Sequence, residues 1–309
     1  MQDNNSKIFL HIGLPKTGSS FLQHHLYLIN NNDYKIFSYY SKIVKLILEY
    51  FNVQSLEIKE EILTIIKNEK SKKILITSEG ILDHQNNHFK DNSRRYQLLE
   101  ELFDKPNYII FFREPSAIIN SHFFQGLAKS NSLIFENYIN ENKQDLIKKN
   151  HYSNFVQGLD YRVYNYNDIL KDYLKIKSRV LFIDYDNFFK EKNGDIINNF
   201  IGLDIKFDWS YKINVSMKNL IYLEFYNKFL IYKLIKKIYI KINQFFYNYN
   251  DHRDYSSRIN TLINFLIKLN PKKYLKKIDD KHQNLLKQIR NYHSESYKDF
   301  ENNLKKNVI

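Results

Sequence analysis

With 309 residues and a 43% hydrophobic composition, the chain can bury one large α/β core, and having no cysteine it excludes disulfides, thiol nucleophiles and zinc–thiolate sites. Its net charge of +13 is concentrated at one end: residues 218–309 hold 19 Lys and Arg against 8 Asp and Glu, a surplus that favours an anionic partner such as nucleic acid, acidic glycan or lipid head groups. No charge-free apolar run reaches membrane-spanning length and Met1 to Lys7 is polar, so the chain reads as cytoplasmic, without a signal peptide or a span.

The first element is a strand at Lys7 to Ile12. A loop carrying Gly13, Pro15 and Gly18 follows, and then a helix starting near Ser19 in which Phe21, Leu22, Leu26 and Ile29 share a face. Further strands are expected at Tyr34 to Ser38, Lys72 to Thr77, Asn107 to Phe112 and Arg179 to Asp184, with helical apolar spacing between them. Leu56, Ile62, Leu63 and Ile66 are assigned to one buried helix face before the third strand. Near-continuous apolar strands alternating with helices predict an α/β fold, a parallel sheet with helices on both faces. Ligands of such sheets bind beyond the carboxyl ends of the strands, which here means Gly13, Thr77 to Glu79, Arg113 and Asp184.

From Asn219 onward the pattern is helical, lysine-rich and aromatic, and Asn248 to Ser257 and Pro271 divide it into two or three helices. One domain is therefore expected at 1–217, with a basic helical extension packed on it at 218–309. Laid on a helix, Tyr226 to Phe246 carries apolar residues on one side and Lys233, Lys237 and Lys241 in a stripe opposite. Such a helix either covers the core or lies on an anionic membrane surface.

The stretch Lys7 to Leu26 says most about chemistry. In a chain with 7 Gly and 4 Pro, two Gly and one Pro between Gly13 and Gly18 mark a demanded backbone shape. A tight loop leading into a helix offers an anion unpaired N–H groups and the positive end of the helix dipole. Lys16 adds a full charge, and Thr17, Ser19 and Ser20 add hydroxyl donors. An ATP-type P-loop places Lys directly after its last Gly, whereas here Lys16 precedes Gly18 by two positions.

The order Pro15, Lys16, Thr17, Gly18, Ser19, Ser20, Phe21 resembles the 5′-phosphosulfate loop of sulfotransferases that use 3′-phosphoadenosine 5′-phosphosulfate (PAPS), and specifically their bacterial and heparan-type carbohydrate branch. Asn107 to Phe124 is similar to the family's 3′-phosphate motif, with Arg113 ending a strand, Pro115 opening a helix and Ser121 two turns along it. A softer likeness runs through Arg179 to Glu191, Gly194 to Asp204 and Asn214-Val215-Ser216, so it covers Lys7 to Ser216. The resemblance implies a P-loop-like sulfotransferase fold and PAPS as co-substrate, with no metal expected. It puts Pro15, Lys16, Thr17, Gly18, Ser19, Ser20, Phe21, Arg113 and Ser121 on the nucleotide. Read alone, Arg113 serves as well as a structural ion-pair partner.

An acceptor attacking sulfur must lose a proton, so a general base is expected near the loop. Glu79, with Gly80 allowing a sharp turn after it, resembles in position the catalytic Glu of heparan-type sulfotransferases. His84 is the alternative, as in small-molecule members of the family, and His88 and His122 are further candidates. Lys16 would act as the electrophile at the leaving phosphate oxygen. His11, inside a strand, is read as a packed core residue. The expected acceptor is a carbohydrate, free or lipid-linked, with peripheral attachment at the inner face of an anionic membrane and no nucleic acid. An ATP-dependent phosphotransferase, and a basic nucleic-acid- or membrane-binding module with a vestigial loop, remain alternatives.

Overall fold

The computed structural model describes residues 7–29, 33–82, 91–128, 135–139, 161–173, 176–210 and 272–307. Five strands, β1 (Ile8–His11), β2 (Tyr34–Ser38), β3 (Lys73–Thr77), β4 (Asn107–Phe112) and β5 (Val180–Asp184), lie within one residue of their expected runs. They form one all-parallel sheet in the order β2-β3-β1-β4-β5. The chain runs from the central β1 outward to β2, returns to β3, and then crosses β1 to β4. The connections therefore change direction beside β1, and this leaves a crevice at its carboxyl end.

The helices are α1 (Ser19–Tyr27), α2 (Lys42–Val53), α3 (Leu56–Asn68), α4 (Asn92–Phe103), α5 (Pro115–Ala128), α6 (Phe135–Tyr138), α7 (Tyr166–Tyr173), α8 (Tyr185–Glu191), α9 (Asp195–Ile201) and α10 (Lys272–Asn307). The described chain divides into two compact units. The first comprises Met1–Glu114, Val163–Tyr211 and Glu295–Ile309, and the second Pro115–Arg162 and Lys212–Ser294. The boundary expected at 217/218 falls outside the described residues, as do Tyr226 to Phe246 with Lys233, Lys237 and Lys241, and Asn214-Val215-Ser216. Among the described residues no helix is long and apolar enough to cross a membrane.

In the first unit, the period-2 alternation of strand side chains separates two apolar layers. Phe9, Leu75, Ile109, Phe111, Leu181 and Ile183 pack with Phe21, Leu22 and Leu26 of α1, Phe188 of α8 and Ile197, Phe200 and Ile201 of α9. On the alternate strand positions, Tyr108 meets Tyr96 of α4, while Phe112 and Phe182 meet Phe300 of α10. The last turns of α10 are thus part of the sheet's own core. β2, at the sheet edge, is only partly buried.

One expected face is corrected. On α3, Ile62 and Ile66 are 0% and 7% exposed, but Leu63 is 38% and Leu56 75% exposed. At 3.6 residues per turn, Leu56 and Leu63 share a row offset by roughly 80–100° from Ile62 and Ile66, and the latter row alone faces inward.

The second unit has an aromatic centre. The His282 ring of α10 stacks on Phe135 at 3.9 Å and 9°, lies 5.4 Å from Phe124, and holds Asn120 Oδ1 through Nε2 at 2.9 Å. His293 Nε2 donates to the Tyr161 carbonyl at 2.9 Å.

Candidate functional site

β1 ends at His11, and the chain then runs beside the end of β4. The Ile12 N–H donates to the Ile109 carbonyl at 3.2 Å, and Gly13 lies against the backbone of Phe111. Arg113 therefore stands only two residues further along β4 than the point where the loop begins. Within the loop Lys16 has φ 66° and Gly18 φ 94°. A non-glycine residue in the left-handed region costs roughly 1–3 kcal/mol and is retained where a site requires the shape. Successive N–H groups around such residues form a concavity suited to anions.

Gly18 is the N-cap of α1, so no side chain closes this helix end. Its carbonyl accepts the N–H groups of Phe21 and Leu22 at 2.9 and 3.2 Å, while helix geometry gives those of Ser19 and Ser20 no intrahelical acceptor. A side chain at Gly18 is excluded twice, by the positive φ and by the Tyr185 ring 2.9 Å from where a Cβ would sit. The hydroxyls divide. Thr17, fully buried, donates to the Leu14 carbonyl at 2.6 Å and so closes the loop; Ser19 is buried, and Ser20 is exposed. Phe21, expected on the nucleotide, is instead in the core. It is 5% exposed and 4.3 Å from the His25 ring, because the first inward position of α1 falls on it.

The Arg113 side chain, 15% exposed, points its guanidinium over the Tyr185 ring at 4.2 Å and pairs with Asp186 through Nη2 at 3.2 Å and Nε at 3.5 Å. The Tyr185 ring therefore touches both the loop at Gly18 and the guanidinium. Burial raises the Tyr185 hydroxyl above its ordinary range, with Arg113 drawing it back and Asp186 pushing it up. The ion pair is the role sequence reasoning allowed for Arg113 alongside phosphate binding, and the two uses are compatible only if the outer edge of the guanidinium serves the ligand. Sequence reasoning missed Tyr185 and Asp186, although they directly follow Asp184 at the carboxyl end of β5.

Glu79 opens the short 3-10 turn Glu79–Ile81, half-buried. Ser78 holds the turn in two ways: its N–H donates to the His11 carbonyl at 3.0 Å and its Oγ accepts from the Gly80 N–H at 3.2 Å. Glu79 and the loop thus leave neighbouring parallel strands at their carboxyl ends. Gly80 does not have the left-handed backbone expected of a sharp turn; the Tyr39 ring, itself 52% exposed, lies 3.3 Å from where its Cβ would be, a close contact. His11 is 3% exposed, bonds Thr77 Oγ1 through Nδ1 at 2.7 Å, and is held neutral by burial at a pKa of about 4. His84 and His88 lie outside the described residues. Ser121 and His122 belong to α5 in the second unit, where Ser121 is half-buried and His122 is 8% exposed.

No protein-family model and no curated protein matches the chain. Among solved structures, a sulfotransferase from Alicyclobacillus acidocaldarius is similar at 16% identity and a TM-score of 0.47, over 74% of this chain and 92% of that one. The sulfotransferase domain from the curacin biosynthetic pathway gives 15% identity and 0.39, over 68% and 78%. Mouse sulfotransferase SULT7A1 complexed with PAP gives 14% and 0.33, over 90% and 88%. In all three comparisons, what the chain is similar to is a sulfotransferase.

Proposed function

We propose that the chain is a sulfotransferase that binds PAPS between the β1–α1 loop and Arg113 and transfers its sulfuryl group to a hydroxyl or amine of a carbohydrate. The observation that carries this reading is the left-handed Lys16–Gly18 loop at the head of the central strand, tied to the Arg113 guanidinium through the single ring of Tyr185.

The donor set fits a doubly anionic nucleotide. Lys16, the N–H groups of Ser19 and Ser20 and the Ser20 hydroxyl would take the 5′-phosphosulfate; Arg113 would take the 3′-phosphate. PAPS supplies the sulfuryl group together with a phosphate leaving group. Lys16 and the start of α1 place positive charge where the leaving oxygen becomes more negative, and they are fixed before reaction by the loop's own bonds. Glu79, one strand away, takes the acceptor's proton. The carbohydrate acceptor, free or lipid-linked, is supported by a carboxylate rather than a histidine directly after β3 and by the cationic last third.

Calorimetry with adenosine 3′,5′-bisphosphate, AMP and ATP–Mg²⁺ tests the donor half. Asp186 stays on the guanidinium with either adenosine nucleotide, so the 3′-phosphate should add about 1.5–3 kcal/mol, the worth of a charged hydrogen-bonded contact. Equal affinities for the bisphosphate and AMP would remove Arg113 from the site, and preference for ATP would favour phosphotransfer. In a radiolabelled sulfate-transfer assay on polysaccharide acceptors, Glu79→Gln should lose most turnover yet keep nucleotide affinity, whereas Lys16→Ala should lose both. Near-normal turnover in Glu79→Gln would move the base to His84.

A further inference from the structure

Arg113 is restrained at both its main chain and its side chain, and the two restraints meet at one residue near the chain's end. Its main chain is held by the Tyr166 hydroxyl, which accepts from the Arg113 N–H at 3.1 Å and donates to the Arg113 carbonyl. Its guanidinium is held by Tyr185 and Asp186, the first two residues of α8. The start of α8 is set by its N-cap, Asp184, whose Oδ1 accepts from the Asn187 N–H at 2.7 Å. The other carboxylate oxygen, Oδ2, accepts from the Tyr297 hydroxyl of α10 at 3.0 Å. The Tyr297 ring also packs edge-on against Tyr166 at 5.1 Å and 78°. One turn on, Phe300 lies 4.7 Å from Tyr166 and 5.0 Å from Phe112, the residue before Arg113.

Packing alone would be served by a phenyl ring at position 297. The hydroxyl does something more specific: it takes the oxygen of Asp184 that the helix cap does not use, so the carboxylate cannot rotate and α8 keeps one entry angle. Burial keeps this hydroxyl protonated, and Asp184 reinforces the effect.

Building on the assignment of Arg113 to a nucleotide 3′-phosphate, we infer that Tyr297 is a positioning residue for that subsite: through Asp184 it orients the Tyr185–Asp186 pair that aims the guanidinium, and through Tyr166 it steadies the main chain. The C-terminal helix is thereby part of donor selection.

The test uses full-length Tyr297→Phe, which keeps the ring and removes the hydroxyl, with Asp184→Asn as a second variant. Each is titrated calorimetrically with adenosine 3′,5′-bisphosphate and with AMP, and its thermal midpoint is recorded. The expected result is a bisphosphate affinity lowered about three- to tenfold with AMP affinity essentially unchanged, and a midpoint lowered by no more than about 2–4 °C, the scale of one lost intramolecular hydrogen bond. Unchanged bisphosphate affinity in both variants overturns the inference, as does an equal loss for both nucleotides, which would mark Tyr297 as structural only. If the wild-type protein itself binds the two nucleotides equally, the Arg113 assignment has failed and this inference falls with it; selectivity in wild type that survives Tyr297→Phe and Asp184→Asn sinks the inference alone.

Discussion

His11, 3% exposed beside the loop, ties folding stability to pH. Desolvation lowers its pKa to about 4 from the ordinary 6.5. The unfolded chain therefore takes up the proton first as pH falls, and stability declines between about 6.5 and 4 while staying level above 7. The gap corresponds to a loss of up to about 3 kcal/mol at the acid end. Urea denaturation of wild type and His11→Gln at steps from pH 7.5 to 4.5 should show a flatter profile for the variant; parallel profiles would mean that another group titrates. Other single residues show how far sequence reading reaches. The demand for Gly18 was legible because glycine and proline are scarce in this chain and gather in the loop. The neighbour of Gly80 was not, since the Tyr39 ring reaches it from a different strand end.

Among the elements, α3 separates periodicity from placement. Four apolar residues were assigned to one buried face, yet the helix turns only the row of Ile62 and Ile66 inward. Ile62→Ala should cost about 2–4 kcal/mol, as for a fully buried aliphatic side chain. Leu63→Gln should stay within about 0.5 kcal/mol of wild type. Chemical denaturation midpoints decide this, and equal losses would restore the original four-residue face. The strands were easier to place, because an apolar run in a sheet covered on both faces needs no choice of side. Glu79 and Arg113 follow from the strand ends, so both candidate chemical groups were legible once β3 and β4 were placed.

At the scale of the whole molecule, the charge surplus of the last third would favour an anionic partner independently of the proposed nucleotide site. Changing Lys233, Lys237 and Lys241 together to Gln should leave calorimetric affinity for adenosine 3′,5′-bisphosphate unchanged. It should also weaken sedimentation with phosphatidylserine liposomes, or turnover of a polysaccharide acceptor. Liposome attachment of the wild type should fade as salt rises, since exposed charges are screened beyond about 8–10 Å at physiological ionic strength. A triple variant equal to wild type in both assays would make the stripe an ordinary solvated face.

Local pattern was enough to specify the strands, the parallel α/β class, the loop from Gly13 to Ser20 and the gathering of that loop, Glu79 and Arg113 at the carboxyl ends of the strands, because each depends on residues a few positions apart: alternation, helical spacing, and glycine where φ must be positive. Only the tertiary structure could decide what surrounds Arg113. Tyr166 reaches it from 53 positions away, Asp186 from 73, and Tyr297 secures Asp184 from 113. Those partners share no periodicity with Arg113 and come within bonding distance only when β4 and β5 pair and the end of α10 packs on them.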